Sequence, residues 1–100
     1  MQIYDSADVT GDGAAHTLAS ALGFSSSAPA RAKWFQITTV ANTSGVTARV
    51  GSANIGAARG IPVAGGQFAP PISQEVDFYD LQHIYYFLGA GDTASVAYAL

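Results

Sequence analysis

Residues 79–100 place the strongest constraint on what this chain can fold into. Two β-rich runs, 79–88 and 93–100, flank a short Gly-Ala-Gly-Asp segment. Glycine reaches the positive φ angles that tight reversals need, so this pattern predicts a β-hairpin. The second run alternates, which predicts a core face and a nearly featureless outer face. The predicted core face holds Ala94, Val96, Tyr98 and Leu100.

The first run carries large apolar side chains on both of its predicted faces. One face holds Ile84, Tyr86 and Leu88, and the opposite face holds His83, Tyr85 and Phe87. The outer face of an antiparallel sheet is usually solvated, so Tyr85 and Phe87 require a cover. A strand or loop of this chain would serve, but for so short a chain we favour another copy of the protein.

The low content of charged residues favours an assembled protein. Hydrophobic residues make up 49% of the 100 residues and charged residues only 11%, against about 25% charged residues in an ordinary soluble domain. A surface so poor in charge tends to associate. The length predicts one domain, residues 1–100. The four basic residues are scattered singly, so we expect no nucleic-acid partner.

Several classes of protein are not expected from the composition. The chain has no cysteine, so disulfide frameworks and thiolate metal sites are not expected. No cationic region precedes an apolar stretch near residue 1, and we therefore expect no signal peptide. The longest apolar run, 84–88, is too short to cross a bilayer, which predicts no membrane partner.

The middle of the chain predicts a second hairpin. Residues 33–40 are dense in aromatic and β-branched side chains, and their alternation places Phe35 and Ile37 on one face. Residues 42–45 read as a turn, and 46–50 return with alternating valine and alanine. The predicted core of the whole domain comprises Phe35, Ile37, Val50, Ile84, Tyr86 and Val96.

The remaining segments complete an all-β prediction. Residues 2–4 suggest a short first strand, and the Asp/Gly-rich residues 5–15 read as a loop. We expect residues 1–15 to be mobile in the free protein and to reach towards a neighbouring subunit or another partner surface. Residues 16–22 fit a helical turn or a strand, and we favour the strand. Pro62 suits an edge strand or a connection. The fold class is a small β-sandwich or jelly roll of six to eight short antiparallel strands.

Two groups of residues are candidates for a metal site or a catalytic site. Residues 8–13 have the spacing of a calcium loop, but Ala19 stands where the helix–loop–helix version needs a bidentate glutamate. We interpret the segment as an Asp/Gly turn and predict no tightly held metal at Asp8 or Asp12. His16 and His83 are the only histidines, and no serine lies in a Gly-x-Ser-x-Gly elbow, so a nucleophile–base pair has no support.

The acidic residues and the glycines also favour a structural role. A carboxylate pair for glycoside hydrolysis would come from Glu75, Asp77, Asp80 and Asp92. Asp80 and Asp92 lie beside turns, where carboxylates usually accept backbone amides. No Gly-Lys-Ser/Thr sequence follows the glycines, so no phosphate loop is predicted. We expect no cofactor and no enzymatic activity.

The order of strand ends and turns between residues 33 and 98 resembles small virion proteins encoded among bacteriophage structural genes. The likeness is carried by Lys33-Trp34-Phe35-Gln36-Ile37, Asn42-Thr43-Ser44-Gly45, Arg49-Val50-Gly51, Arg59-Gly60-Ile61-Pro62-Val63, Gly65-Gly66-Gln67, Pro70-Pro71, Tyr79-Asp80-Leu81, Ile84-Tyr85 and Gly91-Asp92. Such proteins look like β-sandwich decoration (cement) or accessory head and tail proteins. The resemblance implies a structural role, symmetric oligomers and contact with a capsid or tail, and it implies no cofactor.

From these observations we predict a structural virion protein, a capsid decoration protein that assembles in the host cytoplasm and resides on the capsid or tail surface. Its expected partners are further copies of itself, with a trimer favoured, and the major capsid protein or another virion protein. The candidate interface residues are Trp34, His83, Tyr85 and Phe87. The alternative is a glycan- or receptor-binding β-module on a tail or fibre, in which exposed aromatics stack on sugars.

Overall fold

The computed structural model describes residues 3–25, 30–63, 67–68 and 79–99, with only the backbone described at residues 3, 4, 67 and 68. These residues form an all-β fold, as predicted. The elements are β1 (Ile3–Thr10), β2 (Ala15–Thr17), α1 (Leu18–Ala21), β3 (Arg31–Ala32), β4 (Trp34–Ala41), β5 (Arg49–Gly51), β6 (Ile61–Pro62), β7 (Gln67–Phe68), β8 (Tyr79–Asp80), β9 (Tyr85–Phe87) and β10 (Thr93–Ala99). The sequence-based predictions at Pro70, Pro71, Glu75, Asp77 and Leu100 lie outside the described residues.

Two four-stranded sheets form a sandwich-like fold. The first sheet has the strand order β1-β10-β4-β7, and the second has the order β2-β9-β5-β6. All of their pairings are antiparallel. A two-stranded ribbon of β3 and β8 completes the strand pairing among the described residues.

The core lies between the two sheets and contains most of the residues predicted for it. Phe35, Ile37 and Val96 point inward from the first sheet, and Val50 and Tyr86 point inward from the second; all five are at most 5% exposed. The sixth predicted core residue, Ile84, is only partly buried and packs against this cluster. Alternation in β4 and β10 therefore identified the buried faces of both strands.

Both predicted hairpins are wrong. Strand β4 pairs with β10 and β7, whereas β5 pairs with β6 and β9. Strands β9 and β10 likewise belong to different sheets. The predicted turns at 42–45 and 89–92 are therefore parts of crossovers from one sheet to the other. The run 79–88 is also not one strand, because a turn at residues 80–83 separates β8 from β9, with the His83 amide donating to the Asp80 carbonyl at 2.9 Å.

The segment 16–22 is only partly the strand that we favoured. Residues 15–17 form β2, and the next four residues form the helical turn α1. The Oγ1 atom of Thr17 accepts the amide of Ser20 at 3.1 Å, which caps the turn at its amino end. Leu18 and Ala19 are thereby buried in the core. The four-residue spacing of Leu18 and Leu22 is that of a helical turn, and the Leu22 amide donates to the Leu18 carbonyl at 3.1 Å.

The loop predicted for residues 5–15 is also wrong, because most of it belongs to β1. This eight-residue strand pairs with β10 from Ile3 to Thr10. Ala7 and Val9 are half-buried and pack against the core, while Asp5 and Asp8 are exposed. Ala7 and Val9 are two small apolar residues among acidic neighbours, so their alternation was too weak to predict a strand.

Deletion of residues 2–10 is therefore expected to abolish cooperative folding, in contrast to the tolerance that a mobile terminus would give. The deletion would leave one edge of β10 without its partner strand and uncover Ala94 and Val96, which lie opposite Val9 and Ala7. Far-UV circular dichroism and thermal melting measure the effect. Ser6→Thr on the exposed face of β1 is the control and should melt like the parent. A deletion variant with the parental spectrum and melting temperature would contradict this role of β1.

Candidate functional site

The structure does not gather the four candidate interface residues into one patch. Trp34 is half-buried on the outer face of the first sheet, directly opposite Ala99 in β10. Tyr85 and Phe87 share the outer face of the second sheet, and His83 is exposed in the turn before them. Ala99 was predicted to lie on a featureless outer face but is fully buried; its neighbours across the sheet are Trp34 in β4 and Ile3 in β1.

This chain covers Phe87 itself, contrary to our expectation that another copy does so. Phe87 is 8% exposed and lies outside the main core cluster. Its neighbours across the sheet are Ala15 in β2 and Arg49 in β5. On this same face, Arg49 contacts the connection between β5 and β6, residues 52–60, through its side chain. The half-buried Tyr85 lies opposite Gly51, where no side chain competes for the space.

The position of this connection is fixed mainly by Arg49. Its guanidinium donates from Nη1 to the carbonyl of Gly60 at 2.9 Å and from Nε to the carbonyl of Ala57 at 3.2 Å. Ile55 is buried beneath the connection. Gly60 has φ +119°, and a Cβ there would lie 2.8 Å from Ile55 Cγ1. The close approach and the positive φ both require glycine.

A small depression, the Arg59 notch, lies on this connection and was missed by the sequence analysis. It has a volume of about 260 Å³ and is lined by Ser52, Asn54, Ile55, Arg59 and Gly60. The backbone of Arg59 is held by two hydrogen bonds with Gly56, at 3.0 and 3.3 Å. Its side chain is exposed and makes no hydrogen bond or ion pair with any described residue. A fixed backbone with an unpaired guanidinium can recognise a carboxylate or phosphate.

The opposite side of the sandwich is acidic. Asp5 and Asp8 are exposed on β1, and Asp12 follows that strand. Nε2 of His16 lies 2.8 Å from Oδ2 of Asp12. This hydrogen bond is the largest cause that lowers the pKa of Asp12, followed by the amide of Ala14. Asp8 lies in a strand and Asp12 bonds local partners, so the two are not arranged as a calcium loop. Among the described residues, no three metal-ligating side chains form a cluster.

Asp92 joins the three crossovers, residues 11–14, 42–48 and 88–92, at one end of the sandwich. Its carboxylate, in a residue only 2% exposed, accepts the amides of Thr43 and Ser44 at 2.8 and 2.9 Å and the Ser44 hydroxyl at 2.6 Å. Its carbonyl accepts the Gly11 amide at 2.7 Å. The Ser44 hydroxyl contributes most to lowering the pKa of Asp92, and burial opposes this effect. Gly89 leaves room here, because a Cβ at Gly89 would overlap Ser44.

Asp80 plays a comparable part at the β3–β8 ribbon. Its carboxylate accepts the amides of Gln82 at 3.0 Å and Ala30 at 3.3 Å. The Gln82 amide is the largest cause that lowers the pKa of Asp80. The prediction that Asp80 and Asp92 bond backbone amides is confirmed. For Asp92 the amides come from a distant crossover rather than from its own turn.

In the part of the chain that is described, the aromatic residues that could stack on a sugar do not share one exposed surface. Tyr86 and Tyr98 are buried in the core. Trp34 and Tyr85 are half-buried on the outer faces of different sheets. Burial and the negative charge of Asp12 raise the pKa of Tyr86, whose ring lies 5.9 Å from that of His16.

Comparison with protein-family models, curated protein sequences and solved structures finds no match to this chain. Within the described residues there is no helix with the length and apolar character needed to cross a membrane. The described residues form a small all-β, sandwich-like domain with an acidic strand on one side and the Arg59 notch on the other.

Proposed function

We propose that this protein is a structural component of a bacteriophage particle, a capsid decoration protein that acts as a symmetric homo-oligomer. The observation that carries the proposal is the placement of charge and apolar surface on the two sides of the sandwich. Asp5 and Asp8 are exposed on one side, and Arg59 and the 53%-exposed Ile61 are exposed on the other. Such a domain is suited to bind through its sides to other protein surfaces. The sequence resemblance supplies the virion context.

A mechanical role follows from the way the domain is braced. Its crossovers are tied together by a buried carboxylate at Asp92, and its ribbon by Asp80. A rigid sandwich can hold two neighbouring subunits at a fixed distance and orientation, which is what stabilisation of a capsid requires. The major capsid protein is the proposed partner, and the virion surface is the proposed location.

The runner-up, a glycan- or receptor-binding module on a tail or fibre, receives less support. Stacking on a sugar requires aromatic rings that share one exposed surface. The two half-buried candidates, Trp34 and Tyr85, lie on different sheets. A glycan array with the purified protein tests this alternative, and saturable binding that is lost in Tyr85→Ala would favour it over decoration.

The purified protein is expected to be a closed oligomer with a mass that is a multiple of 10.2 kDa, with three copies the favoured number. Light scattering coupled to gel filtration at micromolar concentration measures the mass. Antiserum against the protein should label the heads of particles of the phage that encodes it, at symmetric positions in electron micrographs. A monomer whose antiserum labels no particle would contradict the proposed function, and labelling of the tail would place the protein elsewhere in the virion.

A further inference from the structure

Within the described part of the chain, the two sides of the sandwich carry charges of opposite sign that have no partner. The strand orders place β1 and β6 at outer positions of their sheets. Strand β2 directly follows β1 along the chain and is the strand at the far end of the second sheet from β6. The helical turn α1 that follows β2 contacts β1. Strands β1 and β2 therefore lie on one side of the sandwich, and β6 lies on the other.

On the β1 side, Asp8 is the carboxylate that is available to a partner. It points to the outer face, opposite Ser95 in β10, and it has no hydrogen bond or ion pair with any described residue. Asp5 is engaged through Oδ1, which accepts the amide of Ser6 at 2.8 Å. Asp12 is engaged with His16. Of the three acidic residues on this side, Asp8 alone has both carboxylate oxygens available, as far as the described residues show.

On the β6 side, Arg59 is the corresponding cation. Arg49 is satisfied by two backbone carbonyls, and Arg31 lowers the pKa of Asp80 by its charge. The guanidinium of Arg59 has no such partner among the described residues. The side chains of Ser52 and Asn54 line the same notch and can add hydrogen bonds to a bound carboxylate.

The neighbouring strand β6 favours side-chain contact over pairing of backbones. Ile61 offers exposed apolar surface two residues from Arg59. Pro62 has no amide hydrogen to donate to an added strand. A partner would therefore bind here through a carboxylate in the notch and an apolar contact with Ile61.

We propose that the Arg59 notch binds Asp8 of a second copy of this chain. The contact joins different surfaces of the two copies, so it is heterologous and repeats from copy to copy until a ring closes. A second copy is the occupant indicated by charge, because the chain carries, on opposite sides, an acid and a base that have no partner among the described residues. This inference rests on the homo-oligomer in the proposed function and specifies its interface.

Charge reversal at either residue tests the contact. Arg59→Glu and Asp8→Lys should each raise the dissociation constant of the oligomer by roughly tenfold or more, because each places like charges face to face. The double variant Arg59→Glu/Asp8→Lys should restore assembly. Lys33→Glu is the matched control for Arg59→Glu, since it makes the same change in net charge at an exposed lysine, and it should assemble like the parent. Sedimentation velocity measures assembly, and thermal melting checks that each variant is folded.

A mixture of the two single variants gives a sharper result. Each contact between unlike variants is attractive, and each contact between like variants is repulsive. The mixture should therefore form only rings with an even number of copies, and a trimer should not form.

The possible outcomes separate this contact from the proposed function. An Arg59→Glu protein that assembles with the parental dissociation constant overturns the contact and leaves the oligomer standing. Failure of the double variant to assemble when both single variants are impaired overturns Asp8 as the occupant. A parent that is monomeric at micromolar concentration overturns the contact, and the labelling of particles then decides the proposed function independently.

Discussion

Phe35→Ala is expected to lower the free energy of unfolding by about 3–5 kcal/mol, enough to unfold most of a marginally stable domain of this size. Phe35 is 4% exposed in the middle of the core. Its ring packs edge-on against Tyr79, with centroids 5.3 Å apart and planes at 83°, and its strand neighbour in β10 is Tyr98. Truncation removes the ring and leaves a cavity between the first sheet and the β3–β8 ribbon.

Urea denaturation followed by tryptophan fluorescence and far-UV circular dichroism measures this loss. Val40→Ala in the same strand is the control, because Val40 is 66% exposed and its truncation should change stability by less than about 0.5 kcal/mol. If Phe35→Ala and Val40→Ala have the same denaturation midpoint, the inward facing of β4 is wrong.

The burial of individual strands could be predicted from the sequence because alternation is a local property. In β4 the predicted inward residues, Phe35 and Ile37, are buried, and Val40 on the opposite face is exposed. The same reasoning placed Val96 correctly in β10. The first strand was predicted at residues 2–4, but its extension to Thr10 was missed. Ala7 and Val9 are small and lie between acidic residues, so the apolar face of this part of β1 produced little contrast.

The partners of the strands could not be predicted, because alternation does not distinguish a hairpin from a crossover. A hairpin and a crossover both need a polar, glycine-containing connection after a strand. Here the two connections 42–48 and 88–92 are joined by the Asp92 carboxylate, which lies 48 residues from Ser44 in sequence. A contact between two turns so far apart in sequence cannot be read from either turn alone.

The burial of Phe87 and the Arg59 notch could not be predicted for the same reason, because both depend on contacts between distant parts of the sequence. Phe87 was correctly recognised as an apolar residue on an outer face that needs cover. The chain buries Phe87 without a second copy, and the glycines and alanines of the connection at residues 52–60 did not indicate that two of their carbonyls would accept hydrogen bonds from the Arg49 guanidinium. The Arg59 notch exists only because that connection folds back. An isolated arginine in the sequence could not indicate it.

Asp92→Asn is expected to lower the melting temperature by about 10 °C at neutral pH, because an amide cannot accept all three donors that the carboxylate accepts. The asparagine Oδ1 can still accept the amides of Thr43 and Ser44, but its Nδ2 is a donor and cannot accept the Ser44 hydroxyl. The crossovers at 42–48 and 88–92 would lose that hydrogen bond and the charge that strengthens the other two. Asp12→Asn is the control: its carboxylate also has a lowered pKa, but its side chain is 57% exposed, so the cost should be small.

The difference in melting temperature between the parent and Asp92→Asn, measured against pH, tests whether the charge of Asp92 stabilises the fold. Because the pKa of Asp92 is lower in the folded protein than its ordinary value of about 3.9, ionisation stabilises the fold fully above that ordinary value. The stabilisation is lost as pH falls through the lower, folded pKa. The melting temperatures of the parent and of Asp92→Asn should therefore differ most at pH 5–7 and converge as pH falls below the ordinary pKa and through the lower, folded pKa. A difference that stays constant down to pH 2 would show that the asparagine acts through shape alone, and that the ionised carboxylate does not join the crossovers.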